Sequence, residues 1–85
     1  MKKQPELNYL AIGQKLREIR KKNGVTQEEI AKEFRIRQFV VSRAELGRIP
    51  EHYYLRYLTK FCKKFGVSMD AILGLEKFQG RSTPQ

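Results

Sequence analysis

The chain of 85 residues is poor in the side chains that most catalytic and metal centres use. It has one cysteine, Cys62, one histidine, His52, and no tryptophan. A zinc site takes about four Cys, His or carboxylate ligands, and a thiol nucleophile needs a partner base, so neither centre can be assembled convincingly. We therefore expect no enzyme activity, no metal and no cofactor, and we interpret Cys62 as a packed free thiol.

The sequence also lacks the features of exported and membrane proteins. A single cysteine permits no intramolecular disulfide, and the apolar stretch of residues 7–12 is too short and too interrupted for a signal peptide. No apolar run approaches the about 20 residues of a membrane span. These absences favour a reducing, cytoplasmic setting.

Positive charge is abundant. The 18 Lys and Arg residues outnumber 9 Asp and Glu residues, which gives a formal net charge of +9. This balance favours a polyanionic partner, although solvated lysines need no ligand and charge alone does not identify nucleic acid. The length suits one domain with a modest core.

The spacing of apolar residues predicts a chain of helices. We expect a folded domain over residues 8–75, a flexible basic arm over residues 1–7 and a flexible tail over residues 76–85. Asn23-Gly24 is interpreted as a helix end rather than a hairpin turn. The predicted helices lie at about residues 8–23, 26–34, 37–45, 51–65 and 68–73.

Two of these helices are short and are joined by a tight turn. Thr26 and Glu29 form a capping box at the start of the first, and Arg35 and Ile36 leave room for a turn of only a few residues. The second helix must therefore follow at once.

The second of the two short helices carries side chains that its own core does not need. At about 100° per residue, Val41 and Ala44 share an inward face, whereas Phe39 points the opposite way. Ser42 and Arg43 flank Phe39 on that outer face. A small domain gains nothing from an outward phenylalanine among polar side chains unless a partner covers it.

The start of that second helix is poorly capped. Arg37 stands where Ser, Thr, Asp or Asn is preferred, and a missing cap costs about 1 kcal/mol. Uncapped amides beside Arg35 and Arg37 make an anion site of the kind that phosphate groups favour. We interpret this site as a docking point for a nucleic-acid backbone, and the alternative is a poorly optimised solvated turn.

Four sequence blocks follow one another along the chain. They are IGQKLREIR at 12–20, GVTQEEIA at 24–31, VSRAELG at 41–47 and FGVS at 65–68. Together they resemble the lambdoid Cro/repressor, or XRE-type, helix-turn-helix family over about residues 10–74. Several blocks in the right order are more specific than a single helix-turn-helix pattern.

The resemblance implies an all-α fold, a compact five-helix bundle of the lambda-repressor-like type. Helix 2 would lie across the DNA backbone and helix 3 would enter the major groove. Arg20 and Glu45 match a buried ion pair between helix 1 and the end of helix 3. The expected base contacts are Arg37, Gln38, Phe39, Ser42 and Arg43, and the expected backbone contacts are Gln27, Arg35, Gly47 and Arg48.

Of three departures from the family pattern, the one that bears on the turn is at Arg35. Arg35 occupies the turn position where the family most often has Gly, and a left-handed backbone there would be strained for arginine. We therefore expect a re-shaped turn.

The start of the fourth helix is rich in tyrosine. We expect Leu55, Leu58, Cys62 and Phe65 to point inward, with Phe61 beside them. The tyrosines then offer more aromatic surface than one helix face can bury. They form either a dimer surface or a cap over an extended loop, and both interpretations stay open. The residues of the possible dimer surface are Tyr54, Tyr57, Ile72, Leu75 and Phe78.

The function that the resemblance implies is sequence-specific binding of double-stranded DNA. A small transcriptional repressor would occupy a pseudo-palindromic operator as a homodimer. An alternative is an antitoxin, which shares this fold, represses its own operon and binds a toxin partner through a separate segment. Only the arm before Leu7 and the tail after Glu76 are available for that segment. RNA binding is less well supported, because the stacking aromatics and glycine-rich loops of common RNA modules are not evident.

Overall fold

The computed structural model describes residues 8–74, which form five α-helices and no strand. The all-α prediction is confirmed. In the described part of the chain, no helix combines the length and apolarity needed to cross a membrane. Residues 1–7 and 76–85, predicted as arm and tail, and Leu75 lie outside the described residues. The helices are α1 (Tyr9–Lys22), α2 (Gln27–Phe34), α3 (Gln38–Glu45), α4 (Glu51–Phe65) and α5 (Met69–Leu73).

Short polar side chains fix where three helices begin. The Asn8 side chain accepts a hydrogen bond from the Ala11 amide at the start of α1. At α2 the predicted capping box is present, because the Thr26 hydroxyl accepts from the Glu29 amide at 3.0 Å and Glu29 accepts from the Thr26 amide at 2.9 Å. At the start of α5, the Ser68 hydroxyl accepts from the Ala71 amide at 3.0 Å. Local sequence therefore sets these boundaries.

The ends of α1, α2 and α3 share one hydrogen-bond pattern. After α1, the Gly24 amide donates to Lys21 and the Val25 amide donates to Arg20, which is the Schellman arrangement. This confirms that Gly24 ends a helix. After α2 the same two bonds form, with Arg35 in the left-handed position at φ 59° and ψ 47°. The expectation of a re-shaped turn is therefore wrong, because these bonds hold Arg35 in the conformation that glycine adopts elsewhere.

Replacing Arg35 with glycine should raise the free energy of unfolding by about 1 kcal/mol, because the left-handed backbone strains any residue with a Cβ atom. Arg35→Ala is the matched control, since it removes the guanidinium but keeps the strain, and we expect it to change stability by less than about 0.5 kcal/mol. Urea unfolding followed by circular dichroism measures both. Equal stabilities for the two variants would show that the turn carries no strain.

The core fills the space between the helices, with Phe61, Leu16, Ile30 and Val41 fully buried. The buried face of α4 differs from the predicted one, because it consists of Tyr54, Tyr57, Leu58 and Phe61. Leu55 was predicted to point inward and is 65% exposed. Leu58 and Phe61 are buried as predicted, and Cys62 and Phe65 pack half-buried against the core. The buried face therefore overlaps the predicted one and is turned toward the tyrosines by about 60°.

Burial also corrects the possible dimer surface. Tyr54, Tyr57 and Ile72 are 3–5% exposed, so they belong to the core and cannot form that surface. Tyr54 stacks on Tyr9 at a centroid distance of 5.1 Å and its hydroxyl donates to the Ala44 carbonyl at 2.6 Å. Burial raises the pKa of Tyr54 to about 12. Leu75 and Phe78, the other two predicted members, lie outside the described residues.

Candidate nucleic-acid interface

The first turn of α3 has no side-chain cap. Arg37 occupies the N-cap position with extended backbone, and its side chain makes no capping hydrogen bond. Its side chain is exposed, as is that of Gln38. The predicted weak cap is therefore present, and the positive end of the helix dipole meets two free polar side chains there.

The outer side of α3 is exposed around one aromatic ring. Phe39 is 55% exposed, whereas Val41 and Ala44 on the inner side are fully buried. The Arg43 guanidinium carbon lies 5.5 Å from the centroid of the Phe39 ring, which is a cation–π distance. We call the four exposed side chains of this surface the α3 face: Arg37, Gln38, Phe39 and Arg43.

Ser42 lies at the edge of the α3 face. Its side chain is half-buried, and it borders a shallow depression that also includes Gln14 and Arg17 of α1. Sequence reasoning did not select these two residues, because nothing in their local pattern places α1 beside α3.

A buried ion pair fixes the far end of α3. Arg20 Nε donates to Glu45 Oε2 at 2.6 Å and Arg20 Nη2 donates to Glu45 Oε1 at 3.1 Å. A third donor, Arg20 Nη1, reaches the Val25 carbonyl at 2.9 Å. The hydrogen bond with Glu45 raises the pKa of Arg20. The pairing that the resemblance implied thus joins α1 to α3 through two charge-assisted bonds.

Gln27 belongs to the same network. Its side-chain amide donates to Glu45 Oε1 at 3.0 Å, and the residue is half-buried. Sequence reasoning gave Gln27 only a DNA contact and missed this bond, because its partner lies 18 residues away. One amide hydrogen of Gln27 remains available to a ligand.

The backbones of α1 and α3 cross at close range. A Cβ atom added to Gly13 would lie within 3 Å of the Glu45 and Ala44 carbonyl oxygens. Only glycine permits this approach, and the crossing holds the C-terminal end of α3 against α1.

The loop after α3 is also packed against α1. Gly47 has a φ of 74°, and a Cβ atom on it would lie 2.8 Å from the Tyr9 carbonyl. Packing against Tyr9 therefore explains the glycine at this position, with or without a contact between Gly47 and the DNA backbone. The Arg48 amide donates to the Arg43 carbonyl at 2.8 Å, and the Arg48 side chain is exposed.

Arg35 is not part of the α3 face. It lines a depression with Arg56 and Lys60 of α4, two residues that sequence reasoning did not select. Their spacing along α4 places them on one helix side, but no sequence signal relates that side to the α2–α3 turn.

The single cysteine has the surroundings of a packing residue. Cys62 is half-buried at the edge of the core, and burial raises the pKa of its thiol. A raised pKa disfavours the thiolate, which is the nucleophilic form.

The family comparison agrees with this geometry. A family model described as helix-turn-helix matches residues 16–72 and so includes α2, the turn and α3. Among curated proteins and among solved structures, none gives a significant match to the chain.

Proposed function

Because the chain belongs to the helix-turn-helix family of the Cro/repressor (XRE) type, whose members are DNA-binding transcription regulators, we propose that it is a repressor of one operator. The observation that carries this proposal is the α3 face. It presents two arginines, an amide and an exposed phenylalanine on a helix whose opposite side is fully buried. An α-helix of this size fits the major groove of B-DNA.

Each side chain of the α3 face suits a particular base edge. Gln38 suits adenine through its paired donor and acceptor, and Arg43 suits guanine O6 and N7. Phe39 packs on a thymine methyl group, and its contact with Arg43 orients the guanidinium. Arg37 reads a base or a phosphate at the start of the helix.

Contacts to phosphate set the position of α3 in the groove. The exposed Arg48 follows α3, and its amide is held against the end of the helix. The remaining amide hydrogen of Gln27 reaches a second phosphate from the start of α2. These contacts add affinity but carry no sequence information.

We propose that two copies bind together, because one α3 reads too little DNA. Its 8 residues span about 12 Å, which covers about four base pairs. Two copies related by a two-fold axis double that length. The operator would then be a pseudo-palindrome with half-sites about 34 Å apart.

Selection of bound sequences from random duplex DNA tests this proposal. We expect Arg43→Ala to relax base preference at one position of each half-site, where the arginine contact discriminates by about 1–3 kcal/mol. Arg48→Ala should weaken all sequences alike and reduce the slope of log K against log salt by about 1. Lys63→Ala is the control for base preference, because it removes an exposed cation of α4 that does not belong to the α3 face.

Two results would contradict the assignment. In one, Arg43→Ala leaves the selected sequence unchanged while Lys63→Ala alters it. In the other, the wild-type chain selects no sequence over bulk DNA.

A further inference from the structure

A cavity of about 260 Å³ lies between the α2–α3 turn and α4. Phe34 and Tyr57 line it and are 5% exposed, and the half-buried Ile36, Val40 and Ile49 complete its apolar wall. No residue of the α3 face lines it. The cavity is therefore separate from the proposed DNA-reading surface.

Three cationic side chains surround the apolar lining of the cavity. Arg35, Arg56 and Lys60 all line the cavity with exposed side chains, and no acidic residue lines it. Within residues 8–74, none of the three forms a salt bridge. Lys60 Nζ is held close to Phe34 in the apolar lining, since it donates to the Phe34 carbonyl at 3.3 Å and lies 6.0 Å from the Phe34 ring centroid.

Arg35 is unusual among the three because its backbone conformation favours glycine. The folded chain nevertheless places a guanidinium at the turn, on the side that faces α4. Core packing does not explain an arginine there, since its side chain is exposed. An anion bound in the cavity would give this guanidinium a partner, beside that of Arg56.

We propose that this cavity binds a small organic anion with a flat apolar body, such as an aromatic carboxylate. The body packs between Phe34, Tyr57 and Val40, and the carboxylate accepts charge-assisted hydrogen bonds from Arg35 and Arg56. Ligand sites commonly combine an apolar lining with a few convergent polar groups. The size of the cavity admits one or two rings.

Occupation of the cavity changes the DNA-binding side of the molecule. Ile36 directly precedes Arg37 and Val40 directly follows Phe39, and both line the cavity. A bound ligand therefore touches the start of α3. The anion also neutralises Arg35, an expected backbone contact. The ligand therefore lowers DNA affinity, by about fivefold or more if the coupling is typical. This second step rests on the proposed function.

The first test measures binding without DNA. 1-Naphthoate is titrated into the full chain and followed by amide proton–nitrogen NMR spectra. We expect saturation at about millimolar concentration, with shifts confined to residues 34–40 and 49–60. Acetate has the carboxylate without the aromatic rings, and 1-naphthalenemethanol has the rings without the charge. Each should bind at least about tenfold more weakly than 1-naphthoate.

Variants locate the site. Arg56→Gln should weaken 1-naphthoate binding by about tenfold, and Arg56→Lys should restore part of it. Lys15→Gln is the matched control, because it removes an exposed cation of α1 that does not line the cavity, and it should bind as the wild type does. Equal binding of acetate, shifts spread over the basic surface, or equal weakening by Lys15→Gln would each overturn the proposal.

The second test adds a selected operator duplex and measures DNA affinity by fluorescence anisotropy. 1-Naphthoate should weaken DNA binding, whereas acetate at the same concentration, the ionic-strength control, should not do so beyond its salt effect. NMR binding without this effect would overturn the coupling alone. Failure of the NMR titration with intact operator binding would overturn the cavity proposal and leave the proposed function standing.

Discussion

Replacing Glu45 with alanine should lower the free energy of unfolding by about 3–5 kcal/mol, because it leaves the buried Arg20 guanidinium without its carboxylate. Glu45 is 5% exposed and Arg20 is 7% exposed, so water cannot replace the lost bonds without opening the structure. The side-chain amide of Gln27 loses its acceptor as well. Urea unfolding followed by circular dichroism measures the loss.

An exposed ion pair provides the control for Glu45. Lys64 Nζ lies 2.6 Å from Glu33 Oε1, the same separation as in the buried pair, but the Glu33 side chain is 53% exposed. Glu33→Ala should cost no more than about 1 kcal/mol. If Glu45→Ala costs no more than Glu33→Ala, burial of the Arg20–Glu45 pair does not set its contribution to stability.

Replacing Gly13 with alanine should cost about 3 kcal/mol, at the upper end of the range for overpacked sites. The added methyl group meets the backbone oxygen atoms of α3, and a backbone cannot move aside as a flexible side chain does. The loss would oppose helix propensity, which favours alanine over glycine by about 1 kcal/mol. Thermal or urea unfolding measures it.

A second consequence of Gly13→Ala concerns function. The methyl group forces α3 away from α1 at Glu45, which displaces the whole α3 face, so operator affinity should fall even under conditions where the variant is folded. Lys15→Ala is the control on the same helix. Its side chain is exposed, and we expect less than about 0.5 kcal/mol of change. A Gly13→Ala variant as stable as Lys15→Ala would show that the two backbones separate at little cost.

The helix-turn-helix itself was predictable because its signals are local. Thr26 and Glu29 define the start of α2, and the alternation of buried and exposed residues in α3 follows from its 3.6-residue period. The outward position of Phe39 and the missing cap at Arg37 could both be read from a few neighbouring residues.

The errors arose where packing between distant residues decides the outcome. On α4, Leu55 and Tyr54 are adjacent apolar residues, and the period alone does not say which of two overlapping stripes is buried. The stack of Tyr54 on Tyr9 and its bond to Ala44 favour the tyrosine stripe. Arg35 shows a similar limit. The hydrogen bonds at the end of α2 hold its backbone in the left-handed region, against the preference of a residue with a Cβ atom for negative φ.

The sequence by itself determined the helices, their caps and the exposed outer side of α3, since each depends on residues within one or two turns of helix. Only the tertiary structure decided which face of α4 is buried, that Gln27 joins the Arg20–Glu45 pair, and that Arg35 meets Arg56 across a cavity. The physical reason is range. Capping bonds form between near neighbours along the chain, whereas these contacts join residues 10 or more positions apart, which come together only when the core closes.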